Sequence, residues 1–556
     1  MTKKKTVNGT SQRNMALKSS KAVFKREREI NGLLAKQNYS EAEPLIRAEY
    51  ERLGVKDFGY SNLVSLAALN IKLERLAAAE AILFEAIDLE DQKPEAPELL
   101  FEAYISAKQF ARAHKIVKLL LAHSPDDAKY KYWEILALCA SAKLSDALEE
   151  KWNAYMEAYP QFADDTQLHS AMVTGFLSAG RVEDALRHVQ KYDLENIFDG
   201  QTGQFIPSLY VQLDQPRKAI ERLTEMDVRY PENKAWRWNR GLIRLAIGDL
   251  HDGWGDYKER WNWPDFPSPK RLLKLPEWTG QPLEGKGVVV SAEQGVGDQI
   301  MFGVVINGLI KSGAQRVRIE VQPKLMSLFT LWYPDCEIAE FDNDEELDAE
   351  LEKCFDYHLP MGELAAYFFD TPEKITKFPR RVLRINDSER NQLIGNFAAK
   401  YRVIIGLGWR SHAIDSTRIA GYATVEFAEH IIKSLPKDIG FVVLQYKLTP
   451  EERRALEDYP NVLIPSVDFF DDIVAHGKYC GCCDLVVTAG IMVWQLAGLF
   501  STPVITWGAK SNWPSLGFDN PPWFSGVNLV RGQNNYDRLS VAEVIIQKIK
   551  IALGSS

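Results

Sequence analysis

The chain has 556 residues, of which 46% are hydrophobic and 26% are charged, so its composition supports sizeable cores and excludes a fibrous or largely disordered protein. At roughly 100 to 200 residues per domain, this length predicts about three to five compact units. The 67 basic residues are outnumbered by 76 acidic residues, and the net charge of −9 argues against broad binding to nucleic acid or to an anionic membrane surface.

No stretch of the chain approaches the roughly 18 to 20 consecutive apolar residues that cross a membrane. The N-terminal stretch MTKKKTVNGTSQRN also lacks the apolar core of a signal peptide. We therefore expect a cytoplasmic protein that binds neither a membrane nor nucleic acid. Residues 1–25 are expected to form a disordered basic tail.

A small residue recurs through residues 26–264 at intervals of 37, 34, 34, 38, 34 and 34 residues. Prolines follow several of these positions by about a dozen residues. A period near 34 with a small residue early in a second helix resembles the tetratricopeptide repeat (TPR), which implies an α-helical TPR solenoid built from stacked helical hairpins. The small residues are Ala42, Ala79, Ala113, Ala147, Ala185, Ala219 and Gly253, and the prolines are Pro125, Pro160 and Pro231.

The resemblance also implies a concave groove on the array, the usual place where such repeats hold peptides or protein segments. The alternative is that the array only braces the second half of the chain or mediates self-association. After the array, prolines and glycines in residues 265–286 interrupt helical structure, and Trp261, Trp263 and Trp278 supply large apolar faces. We expect a packed connector there.

From residue 287 onward, short apolar runs alternate with stretches of helical spacing, which is typical of a parallel, doubly wound sheet. Two such sets, at 287–385 and 400–556, predict two Rossmann-like lobes facing across a cleft. Ligands of this architecture bind at the carboxyl ends of the strands. The strands are predicted at 288–292, 316–321, 402–409, 441–446, 461–465, 484–489 and 503–508.

The segment AEQGVGDQIMF, residues 292–302, predicts a tight strand-to-helix turn. Gly295 and Gly297 permit close approach of a ligand to backbone N–H groups at a helix start, and Asp298 is expected to face the cleft. The alternative is that Asp298 only caps the helix. A dinucleotide fingerprint would need a third glycine where Ile300 stands, although Glu320 lies at a suitable distance in the sequence for a ribose contact.

Three of the six cysteines cluster at Cys480, Cys482 and Cys483, and six are too few for a disulfide framework. A zinc site needs about four ligands, and neither a second cysteine pair nor a histidine pair follows the cluster. We interpret the three as small packing residues at a helix-to-strand junction and predict no metal site.

Several motifs recur in one order along residues 276–531. Together they resemble GT-B glycosyltransferases related to the heptosyltransferase group and, with the repeats, flagellin-modifying and other protein O-glycosyltransferases. The motifs are EWTGQPLEGK before the turn; EQGVGD at 293–298; GWRS at 408–411 with Arg418 and Tyr422; VLQY at 443–446; DFFDD at 468–472; CDLVVTAG at 483–490 running to QLAG at 495–498; and WPSLG at 513–517 with PWF at 522–524 and Arg531.

The resemblance implies a nucleotide-sugar donor held mainly by the second lobe and an acceptor that approaches from the first. Such enzymes usually need no metal and no other cofactor, so cations and helix N-termini must stabilise the departing phosphate. Asp298 matches the Gly-Asp whose carboxylate acts as general base toward an acceptor hydroxyl. The expected donor-binding residues are Gly295, Gly297, Arg410, Ser411, Arg418, Gln445, Lys447, Thr488, Ala489, Gly490 and Gln495.

Each candidate residue has a plainer interpretation. Arg410, Arg418 and Lys447 follow strands and suit a phosphate, but they can equally be surface or ion-paired cations. Aromatic rings at Tyr446, Trp507 and Trp513 can stack on a base or sugar, or simply pack. His412 after the Trp-Arg-Ser turn is a candidate acid or base, although loop histidines are mostly solvated.

The sequence departs from the heptosyltransferase pattern in the donor helix, where relatives carry an Asp-Thr pair and a histidine but this chain has Gly490, Ile491 and Gln495. ADP-heptose therefore cannot be carried over as the donor. The flagellin-modifying enzymes imply a CMP-nonulosonic acid as the first expectation and a UDP-N-acetylhexosamine as the second. The open alternatives are a non-catalytic scaffold or chaperone with a decayed transferase domain, and transfer to a saccharide or lipid.

Overall fold

The computed structural model describes residues 30, 32–107, 109–140, 146–263, 266, 268–342, 345–412, 421–508, 512–531 and 538–552. The expected basic tail at 1–25 and the candidate cation Arg418 lie outside these residues. The chain divides into two compact units, Met1–Gly175 and Phe176–Ser556. Among the described residues, no helix is long and apolar enough to cross a membrane.

The first unit is built from antiparallel helical pairs. Ala42, Ala79 and Ala113 are fully buried near the start of every second helix, which explains the recurring small residue because it lets two helices approach closely. Phe101 and Trp133 stack with ring centroids 4.1 Å apart within the core. The helices are α1 (Tyr39–Phe58), α2 (Tyr60–Lys72), α3 (Leu76–Leu89), α4 (Glu95–Ser106), α5 (Phe110–His123), α6 (Ala128–Ala140), α7 (Asp146–Ala158) and α8 (Thr166–Ser178), which runs across the division.

The second unit begins with further helices of the same kind. Ala185 and Ala219 are fully buried, and a Cβ placed on Gly253 would lie 2.9 Å from the Leu245 side chain. The small residue therefore recurs here for the same packing reason, whereas the Ala147 side chain lies outside the described residues. These helices are α9 (Val182–Lys191), α10 (Thr202–Gln212), α11 (Pro216–Arg229), α12 (Ala235–Ala246) and α13 (Leu250–Tyr257), followed by a 3-10 helix (Lys258–Asn262).

The first α/β lobe has a four-stranded, all-parallel sheet in the order β3-β2-β1-β4. The two strands predicted from apolar runs are β1 and β2. The sheet also contains two strands that the apolar pattern did not predict. The elements are β1 (Gly287–Ser291), α14 (Val296–Gly303), α15 (Ile306–Lys311), β2 (Arg316–Val321), α16 (Met326–Trp332), β3 (Glu337–Glu340), α17 (Glu345–Cys354), β4 (Tyr357–Pro360), α18 (Met361–Phe368) and α19 (Pro372–Lys377).

The second lobe has a six-stranded, all-parallel sheet in the order β10-β9-β8-β5-β6-β7. The last helix finishes this lobe, since His430 and Glu543 pair at 2.7 Å between α21 and α25. The elements are α20 (Asp387–Ala398), β5 (Val403–Gly408), α21 (Val425–Ser434), β6 (Ile439–Val443), α22 (Pro450–Glu457), β7 (Val462–Leu463), α23 (Ile473–Gly481), β8 (Leu485–Ala489), α24 (Met492–Leu499), β9 (Val504–Gly508), β10 (Val527–Arg531) and α25 (Arg538–Ala552).

One hydrophobic core runs through both lobes and includes residues of the last hairpin, α12 and α13. The indole Nε1 of Trp254 donates to the carbonyl of Phe369 at 2.9 Å, which joins α13 to the first lobe. In the connector, Trp278 is buried and its Nε1 donates to the carbonyl of Gln281 at 2.9 Å. Cys480 and Cys483 are buried between the end of α23 and the start of β8, and burial raises the pKa of both thiols.

Candidate functional site

The turn between β1 and α14 carries the predicted catalytic carboxylate. Gln294 has a left-handed φ of 60°, and Gly295 is the residue before the helix. The backbone N–H of Gly295 donates to Oδ2 of Asp298 at 3.2 Å, so the capping interaction considered from the sequence is present. This hydrogen bond also fixes the direction of a half-buried carboxylate at the carboxyl end of a strand.

The two lobes meet at this turn, and we call the contact between Gly297 and Gln495 the junction. A Cβ placed on Gly297 would lie 3.3 Å from Nε2 of Gln495 in α24, so a larger residue at 297 would press on the second lobe. Gln495 is 8% exposed, and its Oε1 has no hydrogen-bond partner among the described residues. A buried acceptor without a partner is costly, and a ligand or water that donates a hydrogen bond would remove that cost.

The start of α24 forms the second-lobe side of the junction. Thr488 and Ala489 are fully buried at the end of β8, and the Thr488 hydroxyl donates to the Ala489 carbonyl at 3.2 Å. Gly490 is exposed, and Ile491 precedes the helix. The side chains of Thr488 and Ala489 therefore serve packing, and this segment can offer a ligand backbone N–H groups at a helix N-terminus.

Arg410 is held by a carboxylate of its own lobe. Its Nε donates to Oε1 of Glu452 at 2.7 Å, its Nη2 pairs with Oε2 of the same carboxylate, and Nη2 also donates to the Lys447 carbonyl at 3.0 Å. Burial opposes the ionisation of Glu452, but hydrogen bonds from Arg410, the Thr449 backbone and Trp409 hold the pKa of Glu452 below its ordinary value. Arg410 thus has the ion-paired arrangement considered as its alternative.

Gln445 joins the ends of β5 and β6. Its Oε1 accepts from the backbone N–H groups of Trp409 and Arg410 at 3.0 and 2.9 Å, and its Nε2 donates to the carbonyls of Arg410 and Tyr446 at 2.9 and 2.8 Å. All four hydrogen-bonding positions of the amide are used. Gln445 therefore orders the segment that carries Ser411, whose hydroxyl accepts from the Tyr446 hydroxyl at 3.1 Å.

Lys447 lies at the rim of a cavity of about 230 Å³ in the second lobe. Its Nζ donates to Oδ2 of Asp468 at 3.1 Å and lies 4.7 Å from the centroid of the Phe470 ring. Hydrogen bonds from the Phe470 backbone and from Lys447 lower the pKa of Asp468. Lys324 of the first lobe approaches the same ring at 3.5 Å and pairs with Asp471 at 2.9 Å, which makes a second contact between the lobes.

Some residues considered from the sequence take other roles. The ring of Trp507 is buried against Phe427, with its Nε1 donating to the Gly421 carbonyl at 3.0 Å, so Trp507 has the packing role considered as its alternative. The ribose contact considered for Glu320 is wrong, because this carboxylate is fully buried and pairs with Arg271 at 2.8 Å.

Trp513 and His412 keep part of their rings accessible. Trp513 stacks on Phe302 with ring centroids 6.0 Å apart and is half-buried. His412 is exposed, and its ring centroid is 5.8 Å from that of Phe470. Across the described ranges, no group of three His, Cys, Asp or Glu side chains is arranged to hold a metal ion.

The residues that support the turn were not predicted from the sequence. Glu293 precedes the turn and is fully buried, with Arg260 Nη2 donating to its Oε2 at 2.6 Å. The same Nη2 lies 3.4 Å from Oε1 of Glu363, and the Trp261 indole donates to that oxygen at 3.1 Å. Two features of the sequence could have indicated this pair. Glu293 is a charged residue directly after an apolar strand, and Arg260 lies between aromatic residues at the end of the array.

Known proteins resemble both halves of the chain. The tetratricopeptide repeat family model matches residues 70–139. Protein FlbA of Caulobacter vibrioides is 24% identical over 316 residues, covering 53% of this chain and 52% of that protein, so the chain spans about half the length of this relative. Similar solved structures include a glycosyl transferase family 9 protein from Veillonella parvula (TM-score 0.38, 14% identity, 50% of this chain and 99% of that one) and a tetratricopeptide repeat protein from Parabacteroides merdae (0.36, 15%, 42% and 90%). A third is the E. coli ADP-heptose lps heptosyltransferase II (0.35, 13%, 48% and 99%).

The chain therefore carries tetratricopeptide repeats. The predicted combination of a helical repeat region with two parallel-sheet α/β lobes is confirmed, since the helical pairs and both all-parallel sheets are present.

Proposed function

We propose that this chain is a GT-B, metal-independent glycosyltransferase that moves a sugar from a nucleotide-sugar donor to a serine or threonine hydroxyl of a protein acceptor recruited by the repeats. The observation that carries the proposal is the approach of Gly297 to Gln495. It brings the Asp298 turn of one lobe and the start of α24 of the other to the same place. A reaction between two bound substrates requires such an arrangement.

In the proposed reaction, Asp298 accepts the proton of the acceptor hydroxyl as the oxygen forms a bond to the anomeric carbon of the sugar. The bond between that carbon and the phosphate oxygen breaks, and its electron pair leaves with the nucleotide. The hydrogen bond from the Gly295 N–H fixes one oxygen of the carboxylate before the acceptor arrives. Pre-orientation of this kind lowers the entropic part of the barrier.

The departing phosphate needs positive charge. Backbone N–H groups at the start of α24, beside the exposed Gly490, supply partial positive charge at a helix N-terminus. Lys447 is the more available of the two cations near the strand ends, because its partner Asp468 is largely exposed, and an exposed ion pair is weak. Arg410 is bound by both oxygens of the buried Glu452 and instead orders the segment after β5.

The donor is proposed from the residues at the junction. Gly490, Ile491 and Gln495 offer no charged side chain, so they suit a donor other than ADP-heptose. A CMP-nonulosonic acid is the first choice and a UDP-N-acetylhexosamine the second, in keeping with the motif resemblance to flagellin-modifying enzymes. Flagellin is the proposed acceptor, and the tetratricopeptide repeats are the proposed means of recruiting it.

Calorimetric titration of the purified full chain with CMP, UDP and ADP tests the nucleotide site, and intact-mass analysis of flagellin incubated with the chain and each nucleotide sugar tests transfer. The proposal expects binding of CMP or UDP and a mass increase of one sugar residue per modified site. Absence of both nucleotide binding and transfer would favour a non-catalytic scaffold.

A further inference from the structure

A buried ion pair joins the end of the repeat array to the candidate catalytic turn. Arg260 lies in the 3-10 helix after α13, and Glu293 lies between β1 and the turn. Both side chains are 0% exposed, and their contact is 2.6 Å long. The cost of desolvating both charges offsets much of their attraction, so the net stability of such a pair is small, whereas loss of one partner would leave the other charge buried and uncompensated.

Glu293 has little freedom to move. A Cβ placed on Gly362, at the start of α18, would lie 2.1 Å from Oε1 of Glu293, so the carboxylate occupies the space that a side chain at 362 would need. The Tyr257 hydroxyl donates to the same oxygen at 3.3 Å. The carboxylate is therefore held on one side by the repeat array and on the other by the first lobe.

The next residue, Gln294, is held in the same way. Its Nε2 donates to the Tyr257 hydroxyl, and its backbone N–H donates to the Ser268 hydroxyl at 3.1 Å. Its carbonyl accepts from Nε2 of Gln322 at 2.9 Å and from Nε2 of Gln299 at 3.2 Å. A left-handed conformation costs a non-glycine residue roughly 1 kcal/mol, so these contacts are needed to keep the backbone in place.

We infer that Tyr257 and Arg260, from the end of the repeat array, are positioning residues that fix the turn presenting Asp298. The contacts pass from Arg260 through Glu293 and from Tyr257 through Gln294 to Gly295, whose N–H orients the Asp298 carboxylate. This inference rests on the proposed function. It makes the last hairpin a structural part of the reaction site in addition to any role in binding an acceptor.

Tyr257→Phe in the full chain is the test variant, since it removes the hydroxyl that contacts Glu293 and Gln294 while keeping the ring. Tyr333→Phe is the matched control, because its equally buried hydroxyl donates to the Gly303 carbonyl at 2.8 Å at the other end of α14. Hydrogen exchange of the amides of residues 295–298 measures the order of the turn. The turnover number kcat and the KM for the nucleotide sugar are measured in parallel with the donor that the wild-type chain uses.

Tyr257→Phe is expected to speed exchange at 295–298 and to lower kcat by roughly ten- to a hundredfold, with the donor KM within about twofold of wild type. Tyr333→Phe is expected to lower the thermal unfolding midpoint about as much as Tyr257→Phe does. Its exchange at 295–298 and its kcat are expected to match the wild type. Unchanged exchange in Tyr257→Phe, or faster exchange with unchanged kcat, would overturn the inference. A wild-type chain that transfers no sugar would reject the proposed function, and the exchange result would still decide whether Tyr257 fixes the turn.

Discussion

Gly517 of the second lobe packs directly on the backbone of Gly248 in the last hairpin, where a Cβ placed on Gly517 would lie 2.5 Å from the Gly248 Cα. Both residues have left-handed φ angles, 79° and 84°. Glycine is therefore required at this contact for two separate reasons, conformation and space.

Gly517→Ala is expected to destabilise the second unit by roughly 2 to 4 kcal/mol, because a left-handed alanine costs about 1 kcal/mol and a steric clash with backbone about 1 to 3 kcal/mol more. Gly285→Ala is the control, since Gly285 has a φ of 73° and a Cβ placed on it would have no atom of the described residues within 4 Å. Thermal unfolding midpoints measure the difference. Equal midpoints for the two variants would contradict the packing argument.

Gln495 and Gln445 form a matched pair of buried amides in the second lobe, 8% and 3% exposed. Gln445→Met is expected to cost about 2 to 3 kcal/mol, since it leaves two backbone N–H groups and two carbonyls without the partner they have now. Gln495→Met removes an acceptor that lacks a partner among the described residues, so the free chain is expected to keep its unfolding midpoint.

The same two variants separate stability from ligand binding. Gln495→Met is expected to weaken binding of the nucleotide sugar about tenfold by calorimetry, since a lost hydrogen bond to a buried polar group costs roughly 1 to 2 kcal/mol. A large fall in the unfolding midpoint of Gln495→Met with unchanged binding would show that its amide supports the fold and not a ligand.

The ring of His476 gives the second unit a pH-dependent stability. The ring is fully buried and stacked 4.4 Å from Phe469, its Nε2 donates to the Leu444 carbonyl at 2.9 Å, and burial lowers its pKa to about 4. An unfolded histidine has a pKa of about 6.5, so the unfolded chain binds the proton first as the pH falls. The free energy of unfolding is therefore expected to keep its full value above pH about 6.5 and to fall by about 3 kcal/mol as the pH approaches 4.

Unfolding midpoints measured between pH 7 and pH 4 check this expectation. His476→Gln should flatten the pH dependence in that window, whereas His412→Gln, which changes an exposed ring, should leave it as in the wild type. If the unfolding midpoint of His476→Gln falls with pH as steeply as that of the wild type, other groups cause the effect.

The sequence predicted the elements whose pattern is local. The buried runs of β1, β5 and β8 are almost continuously apolar, whereas β2 alternates charged and apolar residues. The strand-end rule predicted that the Asp298 turn and Gly490 follow the carboxyl ends of their strands. The strand β3 was missed because its sequence, EIAE, lies at a sheet edge and is polar at both ends.

Pairings between distant residues could not be predicted in the same way. Arg410 follows a strand as a phosphate-binding residue would, but its partner Glu452 lies 42 residues further along the chain and reaches it only in the folded lobe. Arg260 and Glu293 are likewise joined only because the last hairpin packs against the first lobe. A local pattern reports the type of a side chain, whereas its role depends on which partner the fold brings to it.

The most direct measurement of the central claim is the rate at which Asp298→Asn adds sugar to flagellin, followed by intact mass beside the wild-type chain. Glu389→Gln is the matched control, because Glu389 also accepts a hydrogen bond from the residue before its helix, Asn386, at 3.3 Å, but in α20. We expect Asp298→Asn to lose at least about a hundredfold in rate, as removal of a general base does, while Glu389→Gln keeps its rate. Full transfer by a correctly folded Asp298→Asn would contradict the account.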